Sequence, residues 1–211
     1  MSRPNADQYD RALAKLFGAD GHERLGRATY VRLEGDGVWR GLVTTFHVRH
    51  PRLCVQPILA IFCPKAAKIV RRGLVEIYGP TAQTRASRLG DLIEAQPLYD
   101  SASKIAGTDR TPYSYDVKIT DEVDKSAKLA HEDYRRVERR FFGDLSSLAN
   151  LRDRIVQHPA GTGAALYAIA VSYLLNPRLS AKEVDALATL VTNEMTRDFS
   201  AYFKGKFCIG S

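Results

Sequence analysis

The residues of this sequence that could bind an anion are concentrated between positions 41 and 90. This segment contains eight basic residues and one acidic residue, Glu76, so it accounts for the whole net charge of +7. The eight are Arg49, Arg52, Lys65, Lys68, Arg71, Arg72, Arg85 and Arg88. Such a concentration of positive charge suits nucleic acid, an anionic ligand or an acidic protein surface. The alternative is a solvated edge, because lysine and arginine also guard exposed strands.

An aromatic side chain beside this segment extends the candidate surface. Trp39 follows a predicted turn, where an indole can be partly exposed and can stack on a base or a partner side chain. Packing in the core is the alternative for Trp39, as it is for Tyr30 and Phe46. The candidate binding residues are therefore Trp39, Arg49, Arg52, Lys65, Lys68, Arg71, Arg72 and Arg88.

A metal site is considered at His47, His50 and Cys54, which are close in sequence. On a strand, His47 and His50 are three residues apart and point to opposite faces. A zinc site also needs further ligands. We therefore predict no metal and no cofactor, and we interpret His50-Pro51 as a turn.

No group of residues in the sequence has the types and spacing of a catalytic site. Asp121, Glu122 and Asp124 form a carboxylate cluster, but helix N-termini are enriched in acidic residues for dipole reasons alone. The Gly161-Thr162-Gly163 turn opens a helix as phosphate-binding loops do, yet it follows no strand and lacks the Gly-Lys-Ser/Thr ending. Glu76, alone among basic residues, is interpreted as a salt-bridge partner. We expect no catalytic residues, and an enzyme of unrecognised type is kept as an alternative.

A predicted sheet positions the candidate residues, because they follow or overlap the stretch from Gly26 to Pro64. Three runs rich in β-branched and aromatic residues are separated at Glu34–Gly37 and at His50–Arg52. Since Asp-Gly supplies the positive φ of a tight hairpin, these runs are predicted to form a three-stranded meander. Both faces of the second run carry apolar residues, which predicts helices on one face and partial cover on the other.

After the meander, Pro64 can open a helix. We predict a short helix over Lys65–Val70 that stops at Gly73. Residues Leu74–Tyr78 fit either the end of that helix or a short strand.

Two further strands are predicted before residue 120. One includes Arg88–Leu92 and ends in a turn, and the other is an edge strand over Tyr113–Ile119, where apolar and polar residues alternate. Residues Pro97–Pro112 are rich in Ser, Ala, Gly and Asp and are interpreted as a loop.

The last third of the chain has helical periodicity. Thr120 is a predicted cap for a helix whose apolar stripe runs from Val123 to Phe141. A shorter helix is predicted from Leu145 to Ile155, and Ala164–Leu175 is apolar nearly all round, which predicts a buried helix. A capping box at Ser180 opens one last helix.

Together with an N-terminal helix over Asp7–Phe17, these elements predict an α+β fold. The sheet is mainly antiparallel, with the meander and one or two further strands, and the C-terminal third is helical. The predicted domains are 1–120, an α+β sheet region, and 121–211, a helical region that packs on it or extends it.

Several short motifs occur in this order. A Gly-Arg-x-x-Tyr strand start is present at Gly26–Tyr30, and a hairpin with an aromatic residue at its exit is present at Asp36–Trp39. An Arg-Leu-Gly-x-Leu signature follows at Arg88–Leu92, and a strand and acidic-capped helix follow over Tyr113–Phe141. In these motifs the chain resembles, from Asp7 to Val191, a family of small bacterial domains known only as a numbered domain of unknown function.

The resemblance implies an architecture and a setting, but no activity. The family usually has tryptophan just before the acidic helix start, where this chain has Tyr113 and Tyr115. Genes for such domains often lie in bacterial conflict or stress loci, which implies a protein partner from such a system.

The location expected from the sequence is the cytoplasm. Residues 1–10 lack the apolar core of a signal peptide, and no window approaches the roughly 18 apolar residues of a membrane span. Cys54, Cys63 and Cys208 are odd in number and form no Cys-x-x-Cys pair, which favours a reducing compartment.

We therefore expect a non-catalytic module that binds another protein and does not bind a membrane. The alternative partner is nucleic acid, bound through residues 41–90. The sequence makes no prediction about the oligomeric state.

Overall fold

The computed structural model describes residues 5–49, 52–80, 92–106, 115–118 and 120–208. Within these residues, five strands form one antiparallel sheet in the order β1-β2-β3-β4-β5. The predicted α+β class with a mainly antiparallel sheet is therefore confirmed. The strands are β1 (Glu23–Arg24), β2 (Thr29–Gly35), β3 (Val38–Arg49), β4 (Arg52–Phe62) and β5 (Leu92–Pro97).

Helices precede the sheet, connect its strands and form most of the C-terminal part. They are α1 (Ala6–Ala19), α2 (Pro64–Tyr78), α3 (Leu98–Ala106), α4 (Val123–Phe142), α5 (Leu148–Gln157), α6 (Ala164–Leu175), α7 (Ala181–Ala188) and α8 (Glu194–Phe207). A 3-10 turn over Thr120–Glu122 leads into α4, and the N-cap residue is Glu122 rather than the predicted Thr120. No helix in the described part of the chain is both long enough and apolar enough to cross a membrane.

The chain divides into two compact units, each built from three separate stretches. The first consists of Met1–Leu33, Arg40–Ala60 and Ala95–Gly143, and the second of Glu34–Trp39, Ile61–Glu94 and Asp144–Ser211. The division at residue 120 that the sequence indicated stays a prediction.

The core of the first unit forms where α1 packs against α4. Phe17 of α1 is fully buried, and its ring centroid lies 4.9 to 5.1 Å from those of His22, Tyr30, His131 and Tyr134. The predicted apolar stripe of α4 is confirmed, since all of its members are buried. They are Val123, Ala127, Ala130, Tyr134, Val137 and Phe141.

The core of the second unit is built around α6. This helix is buried from Ala164 to Ser172, as its apolar sequence predicts, and it contacts α2, α5, α7 and α8. The hairpin turn before β3 also belongs to this unit. Asp36 and Gly37 have φ values of 52° and 81°, so the predicted Asp-Gly turn is confirmed.

The predicted helix stop at Gly73 is wrong, because α2 continues to Tyr78. Residues Leu74–Tyr78 are therefore the end of this helix and not a strand. A Cβ atom at position 73 would lie 2.5 Å from Cε2 of Phe199 in α8. Glycine is present here because it lets α8 approach α2 closely.

The loop predicted over residues 97–112 is wrong for its first part, which forms α3. Leu98 and Ala102 of α3 are fully buried, and the helix packs against α4. The single last helix is also wrong, because α7 ends at Ala188 and Asn193 caps a new helix, α8. Residues 107–112 lie outside the described residues.

Three further predictions fall wholly or partly outside the described residues. These are the turn at His50-Pro51, the strand at Arg88–Leu92, of which only Leu92 is described as the start of β5, and the strand at Tyr113–Ile119. Within the last of these, Val117 forms an isolated antiparallel bridge with Leu53.

Candidate functional site

The exposed face of α2 brings together more of the predicted binding residues than any other described element. Pro64 at the first position fixes the start of the helix, because its ring presets the helical φ and it needs no hydrogen-bond acceptor. The apolar face of α2 contacts α6 and α8. Its buried residues are Ala66, Ala67, Val70, Gly73 and Leu74. The opposite positions must therefore face solvent.

We call Lys65, Lys68 and Arg72, all exposed on α2, the basic stripe. Spacings of three and four residues place these side chains on one helix face, along about 10 Å at a rise of 1.5 Å per residue. Within the described part of the chain, neither lysine ammonium group has a carboxylate within 4.0 Å. The stripe therefore offers cationic groups to an external anion.

Glu76 ends the basic stripe and is paired with two cations. Its Oε1 atom accepts a hydrogen bond of 3.0 Å from Nε of Arg72, and its Oε2 atom accepts one from the ammonium group of Lys206 in α8. These partners, Lys206 before Arg72, lower the pKa of the Glu76 carboxyl to about 2. The pKa of Lys206 is raised, chiefly by the hydrogen bond to Glu76. The interpretation of Glu76 as a salt-bridge partner is confirmed.

The hairpin before β3 lies beside the first residue of the basic stripe. A Cβ atom at Gly37 would lie 3.8 Å from Cε of Lys65. Asp36 accepts a 3.3 Å hydrogen bond from the backbone N–H of Leu148, which ties the hairpin to α5. Trp39 follows this hairpin and is half-buried. The hairpin therefore lies close to the stem of Lys65.

The remaining predicted site residues are not part of the basic stripe. Arg49, at the end of β3, is exposed, and Arg52, at the start of β4, has its NH1 atom 3.8 Å from Oδ2 of Asp116. Both belong to the first unit, whereas α2 belongs to the second. Arg71 is half-buried on α2, and Arg88 lies outside the described residues.

A cleft of about 520 Å³ lies along α4 in the first unit. Lys118, Lys125 and Lys128 line it, but so do three carboxylates, Asp116, Glu122 and Glu132. Because the charges are equal in number, the cleft has no electrostatic preference for an anionic partner. Among the described residues, no three His, Cys, Asp or Glu side chains come together as a metal site.

Two histidines of the first unit, His22 and His131, lie in its core. His22 is 7% exposed, and its Nε2 atom lies 3.0 Å from the hydroxyl of Tyr134. Burial first, and then the charge of Arg32, lowers the pKa of His22 to about 4. Nε2 of His131, which is also buried, lies 2.8 Å from Oδ2 of Asp20. Because both rings pack edge-on against Phe17, this cluster stabilises the fold.

Lys206 is the residue of this site that the sequence analysis missed. It follows Glu76 by 130 residues and lies in the last turn of α8, where a lysine is expected for helix-dipole reasons alone. No local spacing connects the two positions, so only the packing of α8 on α2 could have indicated the pair.

Comparison of the chain with protein-family models, curated proteins and solved structures finds no match. The resemblance to a bacterial domain family therefore stays a prediction from short motifs.

Proposed function

We propose that this protein is a non-catalytic binding module and that its partner is another protein with an acidic surface. The observation that carries the proposal is the basic stripe of α2, in which two lysines and an arginine share one exposed helix face. Such a surface attracts carboxylates and speeds the encounter with a partner of opposite charge.

The short length of the stripe favours a protein over nucleic acid. Three cations could neutralise about three phosphates, whereas proteins that bind DNA tightly often contact about six to ten. A protein interface of ordinary size needs only a few charged residues around an apolar centre. The part-buried Trp39, close in sequence to the hairpin beside Lys65, suits such a centre.

The setting proposed for this function is the bacterial cytoplasm, in a conflict or stress system. The bacterial system rests on the motif resemblance. The cytoplasm is supported by the three cysteines, which are thiols and not disulfides.

The test compares capture of host proteins by wild type with capture by a charge-reversed stripe, Lys65→Glu with Lys68→Glu. The matched control is Lys125→Glu with Lys128→Glu, since these lysines have the same spacing on α4 and are also exposed. We expect wild type and control to retain the same acidic protein, released by soluble polyglutamate, and the stripe variant to lose it. Equal capture by the stripe variant would contradict the proposal.

Nucleic acid is the second candidate partner, and the isoelectric point of about 9.4 favours it. Binding through the stripe would weaken steeply with salt, with a slope near −3 for three phosphates on duplex DNA. An electrophoretic shift assay in about 50 mM salt decides between the candidates. If micromolar protein retains no DNA or RNA under these conditions, this candidate is removed.

A further inference from the structure

We infer that Glu76 is an internal competitor of the acidic partner, holding Arg72 and Lys206 until carboxylates of the partner replace it. The inference rests on the proposed function of the basic stripe. Beyond that function, Glu76 sets the affinity of the basic stripe for its partner, and Lys206 is a fourth cation of this surface.

The geometry places Glu76 where the next partner group would bind. It follows Arg72 by one helical turn on the same exposed face, so it continues the row formed by Lys65, Lys68 and Arg72. Its two oxygens are each used by one cation, Oε1 by Arg72 and Oε2 by Lys206. A carboxylate of the partner at this position would make the same contacts.

The pairs that Glu76 forms can be exchanged. The side chain of Glu76 is 34% exposed, that of Lys206 is 36% exposed, and that of Arg72 is 68% exposed. Exposed ion pairs are weak because water and salt screen them. A partner that presents several carboxylates at once therefore competes well with a single internal one.

Lys206 is held near this position by a second contact. Its Nζ atom lies 5.3 Å from the ring centroid of Tyr202, one turn earlier in α8, which is within the range of a cation–π interaction. When Glu76 is replaced by a neutral residue, Lys206 stays beside α2 and becomes available to the partner. Removal of the acid should thus extend the surface from Lys65 and Lys68 to four cations.

The test measures binding of fluorescent poly-L-glutamate, the carboxylate probe, to wild type and Glu76→Gln over a range of salt concentrations. We expect Glu76→Gln to bind about threefold to tenfold more tightly at low salt, because two exposed pairs are released. We also expect a steeper dependence on salt, because more cations contact the probe. Asp153→Asn on α5 is the matched control, since it also removes one exposed carboxylate that pairs with an arginine.

Two further variants separate competition from general effects. Lys206→Met removes the same link between α2 and α8 but leaves Glu76 on Arg72, so it should not tighten binding. In the double variant Glu76→Gln with Lys206→Met, the salt dependence of polyglutamate binding should steepen by about half as much as in Glu76→Gln alone. The reason is that only Arg72 is then released. Thermal unfolding of every variant checks that the fold is kept.

The possible outcomes are distinct. If wild type binds the probe and Glu76→Gln binds equally or less tightly, the inference is overturned and the proposed function stands. An equal gain in Asp153→Asn would also overturn it, because the effect would then be one of net charge. If no form binds polyglutamate, the proposed function and the inference both fail. If Glu76→Gln binds duplex DNA more tightly than wild type does but does not bind polyglutamate more tightly, the proposed partner becomes nucleic acid and not a protein.

Discussion

Gly73 controls how closely α8 approaches α2. A Cβ atom there would lie 2.5 Å from Cε2 of Phe199 and 3.1 Å from Cε1 of Tyr202, and Phe199 is fully buried. We predict that Gly73→Ala lowers the free energy of unfolding by about 1 to 3 kcal/mol, because overpacking outweighs the better helix propensity of alanine. Chemical denaturation measures the change.

Gly205 provides the control, since it lies within α8 and a Cβ atom there would have no neighbour within 4 Å. Gly205→Ala should raise the free energy of unfolding by up to about 1 kcal/mol. A stabilised Gly73→Ala protein would show that α8 does not pack against α2 at this distance.

His22 gives the first unit a defined sensitivity to acid. Its pKa of about 4 in the folded state lies below its ordinary value of 6.5, so the unfolded chain binds the extra proton first as the pH falls. Stability should therefore decrease from about pH 6.5 and level off below about pH 4, by an amount of roughly 3 kcal/mol. In His22→Gln this part of the loss should disappear.

Urea unfolding at several pH values between 4 and 7 checks the prediction for His22. His47→Gln, on the exposed end of β3, is the control and should keep the slope of wild type. The same pH dependence in His22→Gln and wild type would assign the acid sensitivity to other groups.

At the scale of elements, the start of α8 depends on Asn193. Its Oδ1 atom accepts a 2.7 Å hydrogen bond from the backbone N–H of Thr196, and its Nδ2 atom donates one of 3.1 Å to the carbonyl of Thr162. We predict that Asn193→Ala lowers the free energy of unfolding by about 1 to 2 kcal/mol, because both bonds are lost.

Asn193→Asp separates the two bonds, because it keeps the cap acceptor and loses the donor to Thr162. Thermal unfolding should place it between wild type and Asn193→Ala. If Asn193→Ala is as stable as wild type, the cap does not contribute to the start of α8.

The elements that the sequence predicted well are those whose signal is local. The meander has its Asp36-Gly37 turn and β-branched strands, and α4 and α6 have long apolar patterns. The predictions were wrong where a contact between residues far apart in the sequence determines the local structure. Local rules predicted that a helix ends at Gly73, but this glycine lies inside α2 and makes room for Phe199 of α8. The predicted loop forms α3 instead, because Leu98 and Ala102 are buried and the helix packs against α4.

In the candidate site, too, the residues with a local sequence signal could be predicted and the residue that depends on a distant contact could not. Lys65, Lys68 and Arg72 have helical spacing within a segment already marked by its charge, so their common face could be predicted. The pairing of Glu76 with a cation was also expected. Lys206 could not be predicted, since a partner 130 residues away has no local signal.

At the scale of the molecule, the stretches of the two units alternate along the sequence, and this limits where the chain can be cut into folding fragments. The first unit takes residues from three stretches, and the last of these includes α4, which packs against both α1 and α3. We predict that a fragment of residues 1–120 does not fold, because it lacks the helix that covers the apolar face of α1.

Limited proteolysis and circular dichroism of this fragment test the prediction, with the full chain as control. A protease-resistant fragment 1–120 with the strand content of the full chain would instead support the domain division that the sequence indicated.

The late position of α8 has a consequence for synthesis of the protein. α2 leaves the ribosome when α8, which packs on Gly73, is still roughly a hundred residues from being made. At about 5 to 20 residues per second, the nascent chain carries this uncovered apolar face for roughly 5 to 20 seconds. During that time the part of α2 around Gly73 lacks Phe199 and Tyr202 of α8, while the lysines on the opposite face already repel other basic chains. We expect chaperones that bind short apolar segments to act on α2 until translation is complete.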